Sequence, residues 1–235
     1  MSEFVERLRA NYLAIEQRIA HACQRAGRER SEVTLVAVTK YAEWEWVEAL
    51  VELGHRELGE NRPQQLVERA AQLTRPVNWH LIGHLQSNKA KSVLPRAPWI
   101  HSIDSLKLLQ LIDRQSVELG LRPRVLMEVN VTGEATKYGF TPDELRANWD
   151  AILACCNVDL RGLMTMAMAS DDPETARPAF RALKNLRDEL QARSPGGLRV
   201  FPDLSMGMTG DFEVAIEEGA TLIRIGSALF EGLGP

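Results

Sequence analysis

The sequence predicts an α/β protein, a single (β/α)8 barrel of the TIM type preceded by one extra helix. Three observations carry that expectation. Short runs rich in apolar and β-branched residues alternate with helical stretches eight times between residues 33 and 225. Such alternation implies a parallel sheet covered by helices. The length, 235 residues, suits one core, since barrels of this kind run to roughly 250 residues. No repeat, low-complexity tract or Pro/Gly/Ser linker divides the chain, so residues 1–235 are expected to form one domain. A doubly wound open sheet is the alternative that the same alternation allows.

The elements follow in order. Phe4, Leu8, Tyr12, Ile15, Ile19 and Cys23 recur at steps of three and four, which predicts an amphipathic helix over 3–26 stopped by Gly27. The first β-type run, Val33–Val38, leads to a helix over 43–53 that Gly54 ends. The second, Glu57–Gly59, is short and precedes a helix over 62–73. Asn78–Ile82 precedes a helix near 87–94, and Trp99–Ile103 one from Ser105 to Leu119. Arg124–Asn130 is the fifth run. After it, Thr141-Pro142-Asp143-Glu144 is a capping box with proline at the first helical position. Val158–Met164 leads to a long helix over 173–193, and Arg199–Leu204 to one over 211–218. Thr221–Ile225 is the eighth run.

Composition narrows the function classes. Lys and Arg number 28 against 32 Asp and Glu, a net charge of −4. A mildly acidic surface argues against a general nucleic-acid binder. Charges interrupt Met1–Arg7 at once, so no signal-peptide core is expected there. No apolar run approaches the roughly 18 residues of a membrane span. Cys23, Cys155 and Cys156 are an odd set with one adjacent pair, which reads as reduced thiols in a cytoplasmic protein. No second CxxC or HxxxH gives metal-ligand spacing.

Side chains just past the C-terminal strand ends of a barrel converge on one mouth. Lys40 follows the apolar or β-branched run Leu35–Thr39 and is expected there, partly desolvated. Desolvation favours the neutral amine, which can attack an aldehyde; a strand-end lysine pointing to water is the plainer alternative. The glycine-containing turns Ser205–Asp211 and Ile225–Ser227 follow the last two strands. Such turns offer N–H groups and hydroxyls to a phosphate, or are simply tight turns. Arg224 stands two residues before Gly226 and shares its face. A buried arginine needs an acceptor. A pyridine nitrogen would serve, held unprotonated, and so would a structural ion pair. His80 reads as a satisfied core histidine. His84 lies in a loop and would face ligand or solvent. Met164, Met166 and Met168, at period two, pack or line the mouth.

Taken together and in this order, Leu35–Lys40 (LVAVTK), Gly59–Asn61 (GEN), Trp79–Lys89 (WHLIGHLQSNK), Gly162–Thr165 (GLMT), Leu204–Asp211 (LSMGMTGD) and Arg224–Phe230 (RIGSALF) resemble the YggS/PROSC family of pyridoxal phosphate homeostasis proteins. The resemblance covers nearly the whole chain. It implies a (β/α)8 barrel similar to the N-terminal domain of alanine racemase. It implies pyridoxal 5′-phosphate (PLP) as cofactor, with Lys40 forming the internal aldimine. Ser205, Gly226 and Ser227 would lie at the phosphate and Arg224 at the pyridine nitrogen. Asn61, Met164 and Met206 would line the pocket, with His84 nearby. Thr209 stands where the family more often has serine and keeps the hydroxyl; Ser227 likewise replaces a common threonine.

Two functions compete. The first is a cytoplasmic protein of vitamin B6 homeostasis that holds PLP with little or no turnover, with apo PLP-dependent enzymes as recipients. The second is an amino-acid racemase or related carbanion enzyme. A two-base racemase needs a base opposite the lysine, which alanine racemases take from a C-terminal β domain. The sequence ends at Pro235, ten residues after the eighth run, so that domain is not expected and a monomer is favoured. Tyr12, Tyr41 and Tyr138 are the tyrosines available. An arginine at the pyridine nitrogen weakens the electron sink and favours the first function. A binder of another phosphorylated metabolite would keep the phosphate turns but leave Lys40 unexplained.

Overall fold

The structure is a computed structural model that describes residues 3–134, 138–194 and 201–233. Its strands are β1 (Thr34–Val38), β2 (Glu57–Glu60), β3 (Asn78–Leu81), β4 (Trp99–Ile103), β5 (Arg124–Glu128), β6 (Asp159–Met164), β7 (Asp203–Ser205) and β8 (Leu222–Ile225). They form a closed barrel in chain order, with β1 parallel to both β2 and β8. The open-sheet alternative is thereby removed. Strand alternation divides the apolar residues into two layers. Val36, Trp99, Leu126, Met164 and Leu222 fill the barrel interior. Leu35, Ala37, Ile100, Met127, Leu163, Leu204 and Ile223 face the helices.

The helices are α1 (Glu3–Arg25), α2 (Trp44–Glu52), α3 (Pro63–Gln72), α4 (Ala90–Val93), α5 (Leu106–Leu119), α6 (Pro142–Ala147), α7 (Trp149–Leu153), α8 (Arg177–Ala192) and α9 (Phe212–Glu217). Thr141 caps α6 through the expected box with Glu144. Gly120 ends α5 in the left-handed region at φ 63°, where a side chain would be strained. Three expectations are refined. The helix near 87–94 is a 3-10 turn, Ser87–Lys89, followed by α4. The long helix over 173–193 begins as a 3-10 turn, Pro173–Ala176, because Pro178 suits only the first turn of α8. The seventh strand is Asp203–Ser205 rather than Arg199–Leu204, and Arg199 and Val200 lie outside the described residues.

α1 has a place in the ring. It packs on α9 and α2, the helices that follow β7 and β1, and on the 3-10 turn Ser227–Leu229 after β8. It therefore fills the slot that a helix after β8 would take. Leu8, Ile15, Ile19, Ala22 and Cys23 form its buried face. Asn11 Nδ2 donates to the Leu229 and Glu231 carbonyls at 3.1 and 2.9 Å. Arg28 Nη1 donates to the Ile216 and Ala220 carbonyls at 2.9 and 2.8 Å. The first helix and the residue three positions beyond it thus tie down the connections on either side of the last strand.

Candidate functional site

A cavity of about 590 Å³ opens at the C-terminal ends of the strands. Lys40, Asn61, Thr209, Arg224, Gly226 and Ser227 line it, as the sequence predicts. They come from four separate βα connections and strand ends, which only barrel closure brings together. Tyr41, Trp46, Ile82, Met166, Met208 and Phe230 complete much of the wall, and Trp46 stacks on Phe230 at 6.1 Å between ring centres.

Lys40 lies at the mouth but is exposed. The expected partial desolvation is not found, because the run Leu35–Thr39 ends at the strand's rim and Lys40 lies beyond it. Its Nζ sits 5.0 Å from the centre of the Tyr41 ring. Its backbone, in contrast, is strapped down. Arg69 donates from α3 to the Thr39 carbonyl at 2.6 Å and the Ala42 carbonyl at 2.7 Å. Arg69 also holds Glu60 Oε1 at 2.7 Å, an oxygen that accepts from Thr39 Oγ1 at 2.5 Å. Gln65 donates to the Lys40 carbonyl at 3.3 Å. Glu60 is fully buried, and burial pushes its carboxyl up against the pull of Thr39 and Arg69.

The two glycine-containing turns meet at the cavity wall. Ser227 Oγ lies 3.1 Å from Thr209 Oγ1, so hydroxyls from the loops after β7 and β8 form one pair at the cavity wall. The N–H groups of Ser227 and Ala228 open a 3-10 turn and have no partner within it. A Cβ at Gly226 would stand 3.2 Å from the Val38 carbonyl oxygen, so glycine keeps this wall thin.

Arg224 is buried, and its guanidinium donates to Ser205 Oγ at 2.6 Å and the Thr165 carbonyl at 3.0 Å. Burial lowers its pKa to about 10, while Asp211 and Glu128 oppose the shift. It remains a cation at neutral pH with N–H donors left for the cavity. Glu128, at the end of β5, is pushed up to about 7 by burial and by the Asp104 carboxylate, with Arg224 opposing.

Four predicted residues do not line the cavity. Ser205 is fully buried below it, because its strand position turns the hydroxyl inward to Arg224 instead of toward a phosphate. Met164 is part of the barrel interior. Met206 falls on the opposite face and packs among the helices. His84 pairs with Asp104 (Nδ1 to Oδ2, 2.9 Å) and stacks on Tyr138 at 4.3 Å. Of the methionine series, Met166 lines the cavity and Met168 is exposed. Sequence reasoning did not single out Trp46, Ile82 or Met208, nor the Arg69–Glu60 strap. Glu60 stood in a quoted motif, and a carboxylate at a buried strand end demands a donor, which was the available signal.

The chain is similar to known proteins along almost its whole length. The family described as "Alanine racemase, N-terminal domain" matches residues 10–233. The chain is 41% identical over 215 residues to the pyridoxal phosphate homeostasis protein of Aquifex aeolicus, covering 91% of this chain and 93% of that protein. It is 40% identical over 222 residues to the protein of the same name from Pseudomonas aeruginosa, covering 94% and 93%. PipY of Synechococcus elongatus, solved with PLP bound, superposes with a TM-score of 0.81 at 35% identity, over 92% of this chain and 99% of that one. An alanine racemase of Clostridium difficile shares the fold at a TM-score of 0.74 and 17% identity, over 94% of this chain and 56% of the racemase.

Proposed function

The chain belongs to the pyridoxal phosphate homeostasis protein family, and on that premise we propose that it binds PLP at the barrel mouth and holds it for vitamin B6 homeostasis with little or no turnover. One observation carries this reading. An exposed lysine, a buried arginine cation and a hydroxyl pair on two glycine-containing turns line a single cavity. The donor set fits PLP, which has an aldehyde, a ring nitrogen acceptor and a phosphate. The thin wall at Gly226 leaves room that a Cβ would take.

Lys40 would hold the cofactor at its aldehyde through the side-chain amine. Thr209, Ser227 and the opening N–H groups of the last turn would hold the phosphate. Asn61 would close the side of the pocket. Bound PLP supplies an electron sink that depends on its ring nitrogen. Arg224, which keeps its own proton, would donate a hydrogen bond there, and that would leave the ring nitrogen unprotonated and the sink weak. That favours holding over turnover. Lys40 is exposed to water, which supports a protein that gives up PLP to apo PLP-dependent enzymes in the cytoplasm. For a two-base racemase, Tyr41 is the tyrosine among the described residues that lines the cavity. It lies beside Lys40 and not across from it.

The test is a visible absorption spectrum of purified protein with PLP, before and after borohydride, with Lys40→Ala alongside. A yellow band that borohydride bleaches, leaving a pyridoxyl group on Lys40, is the expected result. A protein that stays colourless with added PLP would overturn the reading. Sustained turnover of a free amino acid, lost in Lys40→Ala, would overturn the holding role in favour of the racemase.

A further inference from the structure

A continuous line of polar side chains runs along the barrel axis, from the half-buried Glu57 at the floor through buried groups to Arg224. At the floor, Glu57 Oε1 accepts from Asn78 Nδ2 at 2.7 Å, and Glu57 Oε2 lies 2.8 Å from His80 Nε2. His80 Nδ1 lies 2.9 Å from His101 Nε2. His101 Nδ1 lies 2.8 Å from Ser205 Oγ, which accepts from Arg224 at 2.6 Å. His80, His101 and Ser205 have no exposed surface. The Trp99 ring stacks on His80 at 5.4 Å and an interplanar angle of 11°, which shields the line from the floor.

The chemistry of the ends gives the line a direction. Arginine has donors and no acceptor, so it must donate to Ser205. An ionised carboxylate only accepts, so His80 Nε2 must carry the hydrogen given to Glu57. Burial pushes Glu57 up, but the bonds from His80 and Asn78 outweigh it and the carboxyl is lowered. Burial lowers both histidines, His101 further through His80 and Arg224, while Glu57 opposes the shift at His80. Arg124, near His80 at the floor, also favours its neutral form. With both rings neutral, one arrangement satisfies every atom. Ser205 donates to His101 Nδ1, His101 Nε2–H donates to His80 Nδ1, and His80 Nε2–H donates to Glu57. Cation and anion are joined by three neutral groups whose dipoles all point the same way, an arrangement that strengthens each bond.

We propose that Glu57, His80, His101 and Ser205 are positioning residues that fix the orientation of Arg224 toward the ring nitrogen of the cofactor, holding the contact at the mouth from the opposite face of the barrel. This rests on the PLP reading, and it adds that residues outside the cavity set its ring contact. Ser205 then has a role different from the phosphate contact that the sequence suggests.

Two measurements test it. The first needs no cofactor: nitrogen-15 NMR of the five histidines, with His80 and His101 assigned by substitution. Both rings are expected as neutral Nε2–H tautomers. An Nδ1–H tautomer at either would reverse the line and overturn the proposal. The second compares PLP binding and its visible band in Ser205→Ala, Ser205→Thr and Glu57→Ala. Losing a hydrogen bond to a charged group is expected to weaken PLP binding about tenfold or more in Ser205→Ala, with a shifted band. Ser205→Thr, which keeps the hydroxyl, restores both. Glu57→Ala, at the far end, gives a smaller loss and band shift in the same direction. Variants that fold, retain Lys40 labelling and show the parent's affinity and band would overturn this inference alone. A parent protein that binds no PLP would overturn the proposed function as well, while the tautomers would still report whether the line exists.

Discussion

At the mouth of the barrel, Lys40 is exposed with no ion pair among the described residues, and Arg224 turns N–H donors toward an open cavity. At the floor, a smaller cavity of about 220 Å³ is lined by charges that answer one another. Arg161 pairs with Asp203 at 2.8 Å and Arg124 faces Asp159 at 3.9 Å. Both guanidinium groups lie over Trp99, Arg124 at 5.2 Å and Arg161 at 6.0 Å from its ring centre. Glu57 is taken by Asn78 and His80. The two ends hold similar residue types, so composition does not distinguish a binding site from a plug. What differs is whether the chain itself satisfies its donors and acceptors. At the floor it does, and at the mouth it leaves them for a ligand.

The largest effects should separate the two ends outright. Lys40→Ala should abolish borohydride-fixed labelling while changing unfolding free energy by less than about 0.5 kcal/mol, since the side chain is exposed. Trp99→Ala should do the reverse. Its buried ring spans the interior cluster, and urea titration should show a loss of about 3–5 kcal/mol with Lys40 still labelled in the folded fraction. A Trp99 variant that folds normally but no longer labels would break the comparison.

Gly226→Ala should act at the mouth in an intermediate way. Its Cβ would press on the Val38 carbonyl, costing about 1–3 kcal/mol in a urea titration, and PLP affinity should fall with it. The pH dependence sharpens the contrast further. His80 and His101 are held by burial below the ordinary 6.5, so the folded state binds fewer protons than the unfolded chain. Their contribution to stability is complete above 6.5 and declines as pH falls below it. Glu128, raised to about 7 at the mouth, has the opposite sign. Between about 7 and its ordinary 4.5 the folded carboxyl keeps a proton that the unfolded one releases, so lowering the pH there adds stability. Glu128→Gln should therefore lose about 2 kcal/mol relative to the parent between about pH 7 and pH 5, read by denaturant titrations at both. Arg124→Ala is the smallest change. Its half-exposed pair with Asp159 should be worth less than about 1 kcal/mol in the same assay.

The fold was legible because strand and helix periods leave separate marks, and eight alternations have few ways to close. Register was less legible. β7 has three residues, too few for alternation to reveal that Ser205 points inward and Met206 outward. The mouth could be read because glycines, hydroxyls and Lys40 stand at strand ends, where burial is not expected. Lys40's exposure was not readable, since it depends on how far the rim of the barrel extends past the strand. The axial line was hidden for another reason. Glu57, His80, His101 and Ser205 lie on four strands, and their contacts are distant in the chain, up to 104 positions between His101 and Ser205. A polar residue within a buried strand signals that a partner exists, but not which one.

The place of α1 bears on how the protein is made. This helix leaves the ribosome before everything it packs against, and its main partners, α9 and the turn after β8, emerge last. β1 likewise waits for β8 to close the barrel. α2 emerges early, but for most of synthesis the apolar stripe Leu8, Ile15, Ile19 and Cys23 lacks α9 and the turn after β8 to cover it. Such distant contacts slow folding and leave nascent chains open to aggregation. Newly made chains should therefore rely on chaperone protection until residues near 230 are free of the exit tunnel, and only then does the cofactor mouth acquire its shape.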